Sequence, residues 1–177
     1  MYTHTQPKVY ICSESELEYE IACLDISSFH TASPEKSSYV AVGLWTDITA
    51  RLLSLPDFKP IVKEKLGIES IPRSILMTTL EDVAYLFVAS GDGQLFSFKF
   101  DEKTAHLSDR KKISLGTQPI ILKTFKTGGT TNIFAASDRP TVVYSKNQKL
   151  LYSNVNLKVC MTGRYVSRLL IDTNILL

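Results

Sequence analysis

No two cysteines in this sequence have the CxxC spacing of a zinc ribbon or a redox loop. Cys12, Cys23 and Cys160 are far apart, and the three histidines, His4, His30 and His106, fall at unrelated intervals. No structural zinc and no disulfide framework are therefore expected, no metal-ligating residue is assigned, and unpaired thiols suit a reducing, intracellular setting. An excess of one charge is missing too. Twenty Lys and Arg against eighteen Asp and Glu leave a formal +2, too little for the broad positive field that holds proteins on nucleic-acid phosphates. Direct nucleic-acid binding is not expected. No run of 18 apolar residues occurs, and Met1-Tyr2-Thr3-His4 does not open a charged-then-apolar leader, so a soluble, non-secreted protein without a membrane is expected.

Signatures of catalysis are absent as well. The serines have no Gly-x-Ser-x-Gly elbow. Gly91-Asp92-Gly93 and Gly128-Gly129-Thr130-Thr131 are not followed by the Lys and Ser or Thr of a phosphate loop, and neither opens a helix whose amides could converge on phosphate. Both read as hairpin turns. Asp47, Asp92 and Asp138 recur at related places, where turn formation accounts for them better than acid and base chemistry. No catalytic residue and no cofactor are assigned.

What the sequence does contain is a succession of short β-branched and aromatic runs broken by turn residues, with little recurrence at helical spacing. The reading is all-β. The clearest strand is 95–100, where Phe96, Phe98 and Phe100 alternate with Ser97 and Lys99 and so share one face of a sheet. Asp92-Gly93 before it tolerates the positive φ of a tight turn, which makes 85–89 and 95–100 antiparallel neighbours. The stretch 106–115 carries Asp109, Arg110, Lys111 and Lys112, the composition of a solvated outer edge strand.

The same pattern repeats. Val40-Ala41-Val42-Gly43, Val88-Ala89-Ser90-Gly91 and Ala135-Ala136-Ser137-Asp138 place alanines at 41, 89 and 136, 48 and 47 residues apart, a period that suits the four-stranded blade of a β-propeller. Small residues there allow neighbouring blades to approach. The expected architecture is an incomplete β-propeller within residues 1–158, with blades at about 21–66, 72–115 and 118–158. An additional outer strand is expected at Val9 to Cys12. Three blades cannot close a ring, so the first and third are expected to expose a sheet face and the chain to be an arc of a larger protein. Residues 159–177, including Leu169-Leu170-Ile171 and Ile175-Leu176-Leu177, form an apolar tail outside the repeat.

Several stretches carry a resemblance: Glu20-Ile21-Ala22-Cys23-Leu24-Asp25-Ile26, Val42-Gly43-Leu44-Trp45-Thr46-Asp47-Ile48, Ile71-Pro72-Arg73-Ser74, Asp109-Arg110-Lys111-Lys112, Leu115-Gly116-Thr117-Gln118-Pro119 and Ser137-Asp138-Arg139-Pro140-Thr141-Val142. In order and spacing they resemble the family of large subunits of damage-specific DNA-binding proteins, from about Val9 to Lys158. The match falls in the second of that family's three propellers. The resemblance implies a non-catalytic adaptor that links a type-4 cullin to WD-repeat substrate receptors in a ubiquitin ligase, in the nucleus and also the cytoplasm. It further implies that the second propeller docks the cullin, with Trp45 and Arg73 among the contacts. After Lys158 the sequence departs from the family.

Composition alone favours a Trp45 packed between blades, whereas the resemblance favours a Trp45 exposed at a rim, where tryptophans often anchor interfaces. Arg73 reads equally as a solvated side chain or as a guanidinium offered to a partner carboxylate. Two other functions were weighed: a propeller fragment of a splicing or mRNA 3′-end cleavage subunit, and a truncated product without independent function. The near-neutral charge and the Asp-Arg-Lys-Lys and Ser-Asp-Arg-Pro runs weigh against the first.

Overall fold

The computed structural model describes residues 11–29 and 36–155. Among them are twelve strands and no helix, arranged as three four-stranded antiparallel sheets. The first sheet holds β1 (Ile21–Asp25), β2 (Tyr39–Leu44), β3 (Thr49–Ser54) and β4 (Pro60–Lys65). The second holds β5 (Pro72–Leu80), β6 (Val83–Ser90), β7 (Gln94–Asp101) and β8 (His106–Ser114). The third holds β9 (Ile121–Thr127), β10 (Thr130–Ala136), β11 (Thr141–Lys146) and β12 (Lys149–Asn154). Each sheet is a meander in chain order, the form that short polar turns between β-branched runs produce.

The second sheet is the centre of the molecule. Its alternation sends Leu86, Val88, Phe96, Phe98 and Phe100 toward Ala41, Ala50 and Leu52 of the first sheet. Tyr85, Phe87, Ala89 and Leu95 go the other way, toward Leu122, Ile133, Ala135 and Val143 of the third. Phe96 and Phe98 are at most 1% exposed, and burying each ring is worth about 2–3 kcal/mol. The period-two reading of 95–100 thus describes the packing. The repeated alanines also keep a common facing: Ala41 looks toward the second sheet, Ala89 toward the third, and Ala136 onto the far face of the third.

Side chains tie the sheets together where main-chain pairing cannot. The Met77 amide donates to Asp25 Oδ2 at 2.6 Å and the Leu122 amide to Ser74 Oγ at 3.1 Å, each bond joining the innermost strands of adjacent sheets. Arg110 departs from the expected solvated edge. Its guanidinium reaches back to Glu64 and to the carbonyls of Lys65 and Leu66, and it lies 5.3 Å and 5.8 Å from the ring centres of Phe96 and Phe98.

The three sheets do not close into a ring, yet their outer faces are not the exposed surfaces expected. Val40, Val42, Leu44 and Leu53 on the far face of the first are 0–6% exposed, with Leu17, Leu55 and Phe58 packed on them. Phe134, Ala136 and Val142 on the far face of the third are 1–3% exposed. Apolar exposure instead concentrates along β1 and just beyond it, at Ile21, Leu24 and Ile26. Of the additional strand expected at 9–12, Val9 and Tyr10 lie outside the described residues, and Ile11 and Cys12 are not in a strand. The tail 159–177 also lies outside them.

Candidate protein-docking rim

The meander places the β2–β3, β6–β7 and β10–β11 loops, together with the links from β4 to β5 and from β8 to β9, at one end of the three sheets. Trp45 and Arg73 both lie there. Trp45 begins the β2–β3 loop, and its amide donates to the Glu20 carbonyl at 2.9 Å, which carries the chain just past the β1–β2 ladder. The ring is 48% exposed, so it is not packed between blades. Arg73 is the second residue of β5, next to the register shift between Pro72 and Ser74. Its guanidinium carbon stands 5.9 Å from the centre of the Trp45 ring, within cation–π reach. Two residues 28 positions apart in sequence, on different sheets, form one exposed aromatic–cationic pair.

The loop that presents Trp45 is held by Asp47. One carboxylate oxygen accepts from Thr49 Oγ1 at 2.6 Å, and the other from Arg51 at 2.9 Å with Lys63 at 3.3 Å. Arg51 is itself only 8% exposed and also approaches Glu18 at 3.5 Å. Burial pushes the Asp47 carboxyl up, but the bonds from Thr49, Arg51 and Lys63 outweigh it and hold the group below the ordinary carboxylate range.

The corresponding turn of the second sheet is nearly bare. Ser90 Oγ donates to the Asp92 carboxylate, and Gly93 has φ of 80°. A Cβ on Gly93 would run into the main chain of Gly116. Asp138 in the third sheet accepts from the Thr117 amide at 3.1 Å and the Gln118 amide at 3.3 Å, and Thr117 Oγ1 stands 3.0 Å from it. Partial burial raises this carboxyl, and those donors more than compensate, leaving it below its ordinary value. All three recurring aspartates are therefore engaged locally, as turn and loop formers. No group of three or more His, Cys, Asp or Glu among the described residues is placed to hold a metal ion. Cys23 lies under the rim beside Gly43, and burial pushes its thiol up to about 11, the opposite of an activated nucleophile.

Sequence reasoning selected Trp45 and Arg73 separately, and the structure brings them together. It missed the ion network on Asp47, although Asp47 and Arg51 stand four apart. It also missed the closeness of Gly91, Gly93 and Gly116 to neighbouring loops, which no local pattern reports.

Comparison with known proteins agrees with the repeat and the sheets. Residues 2–165 match the family described as RSE1/DDB1/CPSF1 second beta-propeller. Among curated proteins, the chain is similar to DNA damage-binding protein 1 of Oryza sativa subsp. japonica, 60% identical over 143 residues. It is also similar to the protein of that name from Drosophila melanogaster, 58% identical over 146 residues, and from Solanum lycopersicum, 57% over 144. These alignments cover 81–82% of this chain and 13% of each relative, so the chain spans a small part of the length of the proteins it matches. With the blade-length repeat, three meander sheets and a match over most of its residues, the chain belongs to the RSE1/DDB1/CPSF1 second beta-propeller family.

Proposed function

We propose that this chain is a non-catalytic adaptor module whose rim, built around Trp45 and Arg73, docks a type-4 cullin scaffold. The observation that carries the reading is the exposed Trp45 ring with the Arg73 guanidinium set against it. Tryptophan and arginine are the residues that most often dominate binding energy at protein interfaces, the first by desolvated area and the second by directed hydrogen bonds. The chain's similarity to DNA damage-binding protein 1 from plants and an insect supports an adaptor role. WD-repeat substrate receptors are proposed to be held by other parts of such a protein, and the nucleus, with the cytoplasm, is the proposed location. The balanced charge fits contact with proteins rather than direct contact with nucleic acid.

The test is binding of the immobilised 177-residue chain to purified type-4 cullin. Trp45→Ala should weaken binding by about tenfold or more, as loss of an interface anchor does. Undiminished binding by Trp45→Ala removes that residue from the interface. No binding by the unaltered chain overturns the docking reading.

A further inference from the structure

The same rim continues past Arg73. Gly91 faces Ser70 and Arg73, so that a Cβ there would stand 2.9 Å from Ser70 Oγ and 3.7 Å from Arg73 Cγ. Gly93 abuts the main chain of Gly116, and its carbonyl accepts from the Leu115 amide at 2.9 Å. Gly116 in turn abuts the Asp138 carboxylate. A strip of three glycines with no side chain to raise it thus joins Arg73 on the second sheet to Asp138 and Arg139 on the third. Arg139 is exposed. Its loop is shaped in advance: the Arg139 amide donates to Ser137 Oγ at 3.1 Å, and Thr141 Oγ1 donates to the Arg139 carbonyl at 2.9 Å. The carboxylate beside it, Asp138, is turned to Thr117 and Gln118. Among the described residues Arg139 has no ion-pair partner.

We propose that the docking surface extends over this glycine strip to Arg139 and accepts a partner segment bearing two acidic groups, one for Arg73 and one for Arg139. The inference rests on the docking reading above. Charge placement argues for it. The rim aspartates at 47, 92 and 138 bond within their own loops, while the two arginines stand outward at either end of a low floor. Such an arrangement favours an extended acidic segment and disfavours a basic one, because opposed charges steer and register an interface. Trp45 supplies the apolar anchor at one end only.

The experiment compares four variants of the full chain for binding to purified type-4 cullin, after thermal unfolding has shown each to be folded. Arg139→Glu should weaken binding by about tenfold or more, and Arg139→Gln by less, in line with charge reversal at an interface. Lys103→Glu, which makes the same charge change on the opposite rim, should alter affinity less than about twofold. Trp45→Ala reports on the docking reading itself. If Trp45→Ala weakens binding and Arg139→Glu does not, the surface ends at the second sheet and the inference fails while docking stands. Equal losses for Arg139→Glu and Lys103→Glu would reveal a diffuse charge effect and overturn it also. Binding unaffected by both Trp45→Ala and Arg139→Glu removes both readings.

Discussion

Arg110 on the outer strand of the second sheet donates to Glu64 on the outer strand of the first at 2.8 Å, and its second terminal nitrogen reaches the Leu66 carbonyl. The pair closes the outer margin of the gap between two sheets whose inner margin is closed by Asp25 and Met77. Its two side chains are 41% and 28% exposed, so the Coulombic part is screened, and the bonds to main-chain carbonyls matter more.

Arg110→Ala should therefore destabilise the chain by about 1–2 kcal/mol, and Glu64→Gln by less than about 1 kcal/mol. Urea unfolding measures both. The reverse order would mean that the ion pair, and not the reach to Lys65 and Leu66, holds the margin.

Two glycines with positive φ give a contrast within one fold. Gly93 has φ of 80° and its Cβ position is occupied by Gly116, whereas Gly128 has φ of 57° and nothing within 4 Å. Gly128→Ala should cost about 1 kcal/mol, the conformational penalty alone. Gly93→Ala should cost clearly more, because the Gly116 loop must also move. Similar unfolding midpoints for the two variants would contradict the close approach.

Stability should fall on acidification. Asp47 and Asp138 are held below their ordinary value of 3.8, burial opposing and hydrogen bonds prevailing, and Glu81 is held below 4.5 by the Gln148 amide and the Ser145 hydroxyl. A depressed folded pKa contributes stability that is present above the unfolded value and is lost as pH drops through the folded one. The urea midpoint should change little between pH 7 and about pH 5 and then decline toward pH 3. Asp47→Asn should flatten that decline. A midpoint that rises on acidification would contradict the assignment.

Much of the fold could be read from residues alone because its signals are local. Phe96, Phe98 and Phe100 show their shared face by alternation, Asp92-Gly93 shows its turn by backbone tolerance, and alanines 41, 89 and 136 show the blade by period. Trp45 and Arg73 became candidates through resemblance, and their proximity could not be read because it depends on how two sheets pack. Arg110 was misread for a related reason. A charged residue on an edge strand looks solvated until the neighbouring sheet brings carbonyls within reach of it. The outer faces of the end sheets were misjudged because the repeat says nothing of Leu17, Leu55 and Phe58, which cover Val40, Val42 and Leu44.

Glu81 lies at the end of the molecule away from the rim, where its carboxylate accepts from Ser145 Oγ at 2.7 Å and the Gln148 amide at 2.6 Å of the third sheet. It works as a cross-brace. Two plates joined at one margin can hinge, while plates joined at opposite ends hold a fixed angle, and here the near end is joined by Asp138 and the far end by Glu81. The span between Arg73 and Arg139 is therefore a property of the whole frame. A carboxylate that touches no partner helps set the gauge at which the two guanidinium groups meet one.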